Sequence, residues 1–260
     1  MIEKQLISAA AVQLSKDYNC DPSDFFRTQN VFTQSVLRAG QRFFTETPSP
    51  FKAATFGHNA VVSAVPSLLD FACELNSFTG TTLFDGRGIA AANSFLNIRG
   101  YIIGGIHQYY LPSDNFKISS SEGYKLLVFE EEDIRLQLHP YYKGYDNALM
   151  YHSVGSRHDV LAVAAMSGRT ILGMAGASSD SGLFWQIGID VIPGFRRKGL
   201  GAILVSTLAN EVLIREKIPY YGTWPGNIFS QKTALKVGFR PAWTEINASP
   251  IQDYTVKEPY

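Results

Sequence analysis

Residues 193–201 read PGFRRKGLG, with Arg196, Arg197 and Lys198 set among Gly194, Gly199 and Gly201. The stretch follows an apolar run ending IDVI and leads into AILVSTLANEVL, so it joins a strand to a helix. The first amides of a helix have no helical carbonyl to bond and lie at the positive end of its dipole. Gly199 and Gly201 would let a ligand approach that backbone, and the cations add charge beside it. Such a turn can seat a phosphate or pyrophosphate. It equally suits a solvated loop whose glycines only permit a tight bend, and the turn alone does not separate the two.

Two familiar phosphate motifs are excluded. GxxxxGK[ST] is absent, so this is not a P-loop, and GxGxxG does not occur. The strands before the turn are joined by short turns, which makes them antiparallel, whereas a dinucleotide-binding unit needs parallel strands joined by helices. Downstream, NIFSQKTALKVGF reads as a short helix with Asn227 as N-cap, Lys236 near its negative end and Gly238 as terminator.

The elements that must position these residues are legible from Tyr124 onward. YKLLVF reads as a strand, and EEEDIRLQLHPYYKG as a helix whose acidic first turn suits its dipole. DVLAVAAM, the turn SGR and TILGMAGAS predict a hairpin, SSDSG the next turn, and LFWQIGIDVI a third antiparallel strand. A helix follows from about Gly199 to Glu216 with Leu200, Ile203, Leu204, Leu208 and Val212 on its apolar face, then YYGTW as a strand. The first half is mixed α/β. It has an opening helix, a helix start at Asp21 and Pro22, strands at NVFTQSVL and FKAATFG, and helices at SAVPSLLDFACELNSF and IAAANSFLNIRG before a strand at YII. PSDNFKISSSEG, 112–123, is polar and aperiodic and reads as a linker, dividing the chain into domains 1–122 and 123–260.

Composition narrows the function classes. The chain has 260 residues, 45% apolar and 18% charged, with 23 basic and 23 acidic side chains. No global field exists to hold nucleic acid or an anionic membrane, so an anion site must be local. The longest apolar run, Val160 to Met166, is too short to span a bilayer, and acidic Glu3 argues against a signal peptide. Cys20 and Cys73 lack metal-ligand spacing and fit free thiols in a reducing cytoplasm, the expected location. EEED at 130–133 reads as a solvated helix start, and no metal site is expected.

IDVIPGFRRKGLG, read as V-x-P-x-[YF]-[RQ]-x-x-G-x-[GA], resembles the coenzyme A signature of the GNAT superfamily of N-acetyltransferases. NIFSQKTALKVGF is similar to that family's second signature, with Asn227, Ser230, Lys236, Gly238 and Phe239 in register. The resemblance covers roughly Tyr124 to Ala248, and the whole chain resembles two-part bacterial proteins of this family. It implies an α+β (mixed α/β) fold with a central, mostly antiparallel, splayed sheet flanked by helices, preceded by a smaller α/β domain. The implied donor is acetyl-CoA. Ile189 and Val191 would run along its pantetheine arm, and Arg196, Arg197, Lys198, Gly199, Leu200, Gly201 and Ala202 would cradle its phosphates. Asn227 and Ser230 would meet it from the other side of the splay.

The reaction implied is direct attack of a primary amine on the thioester in a ternary complex. An amine of pKa about 10.4 is almost wholly protonated near neutrality, so it must lose a proton first. Asp190 is the first candidate base, and the alternative is that its side chain orders a neighbouring loop. Many family members carry a tyrosine, seven residues after the motif asparagine, that protonates the departing sulfur. Here that position is Ala234. Tyr220 or Tyr221 on the next strand could supply an acid or simply pack, and Trp224 could shape the acceptor pocket or cover core. His139, His152 and His158 are scattered singly, with solvated or core roles as the default. Two other functions stay open: an idle acetyl-CoA-binding sensor or scaffold, and an O-acyl or longer-chain acyltransferase. The expected partner is a small-molecule or peptide amine, with no nucleic acid and no membrane. The first half would complete the acceptor pocket, mediate dimerisation, or be a degenerate copy of the same fold.

Overall fold

The computed structural model describes residues 2–43, 46–138, 143–150 and 158–254. In chain order its helices are α1 (Ile2–Tyr18), α2 (Pro66–Glu74), α3 (Gly86–Leu96), α4 (Glu131–Asp133), α5 (Leu200–Ile214) and α6 (Ile228–Lys236). The strands are β1 (Val31–Gln34), β2 (Phe51–Thr55), β3 (Val61–Ala64), β4 (Tyr101–Pro112), β5 (Lys125–Glu130), β6 (Asp159–Ser167), β7 (Thr170–Ser179), β8 (Phe184–Val191), β9 (Ile218–Thr223) and β10 (Phe239–Pro250). The chain packs as two compact units, one built chiefly on Tyr110–Pro241 and the other on Ile7–Gln41 with much of 45–109 and the residues from Ala242 onward. Among the described residues no helix is long and apolar enough to cross a membrane.

In the unit built on Tyr110–Pro241, β5 to β9 lie side by side in the order β5-β6-β7-β8-β9. The first three pairings are antiparallel, and β9 joins β8 in parallel. That parallel step follows from α5, which crosses from the end of β8 to the start of β9. Alternate side chains sort to the two faces of this sheet. Leu161, Val163, Ala165, Ala175, Ala177 and Ile187 pack with Leu200, Leu204, Leu208 and Val212 of α5. On the other face Ala162, Ala164, Ile171 and Met174 pack with Ile134, Leu138, Tyr145, Ala148 and Leu149. The apolar face read for α5 is buried throughout, each large side chain contributing about 1.5–3 kcal/mol.

Two details differ from the expectation. The helix from Glu130 has its described part as one α-turn followed by a π-turn over Ile134–Leu138, and its continuation with His139 lies outside the described residues, as does His152. The stretch 112–123, read as a linker, is anchored: Ser113 donates its N–H and its hydroxyl to the Gly238 carbonyl, Lys117 N–H donates to Val237, and the Ser119 amide donates to the Ser206 hydroxyl. Phe116 packs on the core beside Phe239, at 5.9 Å between ring centroids. The stretch is held through its backbone, the Ser113 hydroxyl and Phe116, while Asp114, Asn115, Lys117, Ser120, Ser121 and Glu122 stay exposed.

The other unit pairs β1-β3-β2-β10, with β1 and β3 parallel and the remaining pairs antiparallel. Phe51, Val62, Leu68, Phe71, Leu83, Leu96 and Ile246 form its core. β3, at VVSA, carries no polar alternation because all four residues are buried, and the sequence reading missed it. Helix α3 starts where Asp85 accepts hydrogen bonds from the Arg87 and Gly88 amides. Cys20 and Cys73 are free thiols.

Candidate functional site

The parallel pairing of β8 with β9 runs only from Phe184↔Ile218 to Ile187↔Tyr221. β8 nevertheless continues along β7 to Val191, and β9 continues to Thr223. The two strands therefore part after Ile187 and Tyr221, leaving the edge of Gly188–Val191 without a β9 partner. An edge like this offers backbone donors and acceptors to an extended amide chain. The splay opens into a cleft of about 960 Å³ that runs from Arg197 to Asp159.

At one end of the cleft stands the glycine turn. Gly199 has φ of +90° and Arg197 a φ of +61°, both left-handed, and Gly199 is the N-cap of α5. The Leu200 and Gly201 amides thus open a 15-residue helix with no helical carbonyl to bond. Arg196, Arg197, Gly199, Gly201 and Ala202 line the cleft. The three cations of the turn have different surroundings. Arg196 donates its Nε–H to the Val191 carbonyl at 2.7 Å, Arg197 is exposed at the cleft, and Lys198 lies 5.3 Å over the Phe195 ring. The Leu200 side chain is core, so only its backbone can serve the site.

Helix α6 supplies the opposite wall. Asn227 caps it by accepting the Ser230 amide at 3.2 Å, and both residues line the cleft. Lys232 and Lys236, four residues apart on one helical face, line it too. Lys236 Nζ stands 3.8 Å from where a Cβ on Gly199 would lie, so α6 extends the basic end of the cleft. The sequence reading took Lys236 as a helix-end cation in register with the second signature, gave it no place at the cleft, and passed over Lys232. Their i, i+4 spacing was the available signal.

At the vertex of the splay the Tyr221 hydroxyl lies 2.7 Å from the Ser230 hydroxyl. Burial pushes the phenol up to about 12, a shift that the Ser230 hydrogen bond moderates, so it remains protonated at neutral pH. Ala234, where the resemblance looks for a tyrosine, is fully buried in the core.

Asp190 lines the cleft from β8, and its carboxylate serves a loop. Oδ2 accepts the Asn147 amide at 2.8 Å and the Ala148 amide at 2.9 Å, while Oδ1 accepts Asn147 Nδ2 at 2.7 Å. The same loop lies on a glycine pair. Gly176 and Gly188 face each other across β7 and β8, and a Cβ on them would fall 1.7 Å from the Ala148 oxygen and 1.8 Å from the Asn147 oxygen. Only glycine at both places lets the Asn147–Ala148 backbone rest on the sheet. His158 is 3.4 Å from a Glu131 carboxylate oxygen, away from the vertex. Among the described residues no group of three His, Cys, Asp or Glu side chains is placed to hold a metal ion.

The acetyltransferase (GNAT) family model matches residues 125–239, a span that contains the splay, the glycine turn and α6. Residues 125–239 are a GNAT acetyltransferase domain. No curated protein matches the chain. Among solved structures, a GCN5-related N-acetyltransferase from Kribbella flavida is similar at 12% identity and a TM-score of 0.52, covering 94% of this chain and 95% of that one. A GNAT-family acetyltransferase from Novosphingobium aromaticivorans is similar at 14% identity and a TM-score of 0.44, over 57% of this chain and 66% of that one, just under two thirds of its length. A GCN5-related N-acetyltransferase-like protein from Streptococcus suis gives 15% identity and a TM-score of 0.41, over 62% and 68%. The expected GNAT fold, a mostly antiparallel sheet splayed beside a strand-to-helix glycine turn, is present. GNAT enzymes take their acyl group from coenzyme A thioesters, and this cleft fits acetyl-CoA: an open strand edge, a left-handed glycine at a helix N-terminus, and cations on two walls.

Proposed function

We propose that this protein transfers the acetyl group of acetyl-CoA to a primary amine, with both substrates bound together in the cleft. The observation carrying the reading is the continuity of three features. They are the open edge of Gly188–Val191, the Gly199 turn, and the Tyr221–Ser230 hydroxyl pair at the vertex. The thioester supplies an electrophilic carbonyl and a leaving thiolate of pKa about 8.5.

The chain's own groups then have distinct tasks. The Leu200 and Gly201 amides with Arg197, Lys232 and Lys236 hold the phosphates, and the strand edge orients the pantetheine arm. Tyr221, kept protonated by burial, donates a hydrogen bond to the sulfur. A thiolate that leaves readily needs stabilisation more than a proton already in hand, so Tyr221 takes the place of the acid missing at Ala234. The nitrogen bonds the acetyl carbon, the carbon–sulfur bond breaks, and the nitrogen's proton ends on sulfur or solvent. Asp190 positions the acceptor wall through Asn147 and Ala148, and water removes the ammonium proton before attack.

Calorimetry with acetyl-CoA, followed by release of free coenzyme A across an amine panel, tests this. Wild type should bind acetyl-CoA and release coenzyme A with at least one amine. The double variant Arg197→Glu, Gly199→Asp should lose binding, and its retention would remove the cofactor assignment. Binding without turnover of any amine would favour the second reading, an acetyl-CoA-binding protein without catalysis, which draws on the buried Ala234.

A further inference from the structure

On the β9 side of the splay stands a polar group that the cofactor reading does not use. Thr223 ends β9, lines the cleft and is 4% exposed, and its hydroxyl has no hydrogen-bond partner among the described residues. It lies two residues beyond Tyr221, so both side chains leave the same face of β9. On that face Tyr221 meets Ser230 of α6. From Ser230 the helix crosses the splay: Thr233 Cγ2 lies 3.7 Å from where a Cβ on Gly201 would stand, and Lys236 Nζ reaches the Gly199 turn. Thr223 is thus enclosed between β9 and α6, on the wall opposite the open edge of Gly188–Val191.

A buried hydroxyl without a partner destabilises the free protein, because it has given up water and received nothing in exchange. Its polar neighbours on this wall are engaged with one another. The Tyr221 and Ser230 hydroxyls lie 2.7 Å apart, the Asn227 oxygen accepts the Ser230 amide, and the Thr233 hydroxyl donates to the Phe229 carbonyl at 3.0 Å. The place of Thr223 along the cleft says which atoms it would meet. Ile187 and Tyr221 are the last paired residues, so continuing that register sets Thr223 level with Ile189. Two residues of strand span about 6.5 Å. In coenzyme A, two methylenes separate the sulfur from the first amide of the pantetheine arm. With the sulfur at Tyr221 and the arm running toward the Gly199 turn, that amide comes level with Thr223.

We infer that the Thr223 hydroxyl hydrogen-bonds the pantetheine amide nearest the thioester, which makes Thr223 a donor-positioning residue across the cleft from β8. The inference rests on the acetyl-CoA reading of the cleft given above. The backbone of Gly188–Val191 bonds one flank of the extended arm, and Thr223 bonds the other through a side chain. A hydroxyl can donate to the amide oxygen or accept from the amide N–H, so it suits either way up. The bond holds the last flexible segment before the thioester and so keeps the sulfur at the Tyr221 hydroxyl. The cost of the lone hydroxyl in the free protein is recovered when the arm binds.

The test uses the full chain and calorimetry with two ligands: acetyl-CoA, and adenosine 3′-phosphate 5′-diphosphate, the cofactor's nucleotide half without its arm. Thr223→Val keeps the shape of the side chain and removes the hydroxyl. It should weaken acetyl-CoA binding about 10-fold and leave the nucleotide half within about twofold. The urea midpoint of the free variant should equal or exceed that of wild type, since the hydroxyl removed had no partner. Thr223→Ser should bring acetyl-CoA affinity back to within about threefold of wild type. Thr223→Ala replaces the valine variant in the comparison if the latter does not fold. Equal acetyl-CoA affinity in Thr223→Val and wild type would assign the hydroxyl to an ordered water and overturn the inference. An equal loss of both ligands, or no recovery in Thr223→Ser, would overturn it as well. Wild type that binds neither ligand removes the acetyl-CoA reading itself and this inference with it, a result distinct from intact wild-type binding that Thr223→Val leaves unchanged.

Discussion

Tyr221 is the residue on which the chemistry turns, because burial raises its pKa to about 12 and leaves a neutral donor at the vertex of the splay. Tyr221→Phe should lower kcat about 10- to 100-fold with the KM for acetyl-CoA within a few-fold, read by steady-state coenzyme A release. The same shift fixes a stability window. The folded phenol holds its proton above the unfolded value of about 10, so its contribution is complete below pH 10 and is lost as pH rises through about 12. Urea titrations at pH 9 and 11 should show that loss in wild type and a smaller one in Tyr221→Phe. Asp190 is separable by a different signature. As a positioning residue its replacement by alanine should raise the acceptor KM several-fold and leave kcat within about 10-fold, whereas losing a base costs 100-fold or more in kcat. Cys20 offers a further check: burial, then the Asp24 carboxylate, pushes its thiol up to about 12, so alkylation at pH 8 should modify exposed Cys73 and spare Cys20 in peptide mass maps.

At the scale of elements, the site depends on places where backbone replaces side chain. A methyl group on Gly188 would meet the Asn147 oxygen at 1.8 Å, so Gly188→Ala must lift the loop that Asp190 holds. Its expected cost is about 1–3 kcal/mol in urea unfolding, with a raised acceptor KM. Gly199→Ala works at the other end. Space exists for its Cβ, but φ of +90° penalises any L-residue by roughly 1–2 kcal/mol, which should weaken acetyl-CoA binding by about 10-fold in calorimetry. Element types were readable from pattern because β6, β7, β8 and α5 carry their apolar residues at the spacing their geometry buries. β3 was not, since its four buried residues are too short an apolar run to tell from the helix that starts just after it at Pro66. The stretch 112–123 reads as a linker because most of its polar side chains are exposed, whereas what anchors it is its own backbone, the Ser113 hydroxyl and Phe116.

For the whole molecule, the cleft belongs entirely to the unit built on Tyr110–Pro241. Acetyl-CoA at 100 times its Kd should stabilise that unit by about 2.7 kcal/mol. Hydrogen exchange should show the protection in Gly188–Val191 and the first turn of α5, with β1, β2 and β3 unchanged. Because Arg197, Lys232 and Lys236 are exposed, raising salt from 0.1 to 1 M, where the screening length falls from about 10 to about 3 Å, should weaken binding markedly.

The sequence by itself determined the order of elements around the glycine turn, while the anion seat stayed open from the turn alone and the donor came from the resemblance to the GNAT signatures. Glycines before a helix, an N-capping asparagine and alternating strands are local patterns, and local backbone geometry is written in consecutive residues. Tertiary structure decided the rest: that Asp190 holds a loop, that Lys232 and Lys236 line the cleft, that Tyr221 meets Ser230, and that Asp159, Ser178, Gln186 and Tyr220 stand in one row. Those residues come from separate strands and helices. Their neighbourhood is set by register and packing, which no stretch of chain encodes alone.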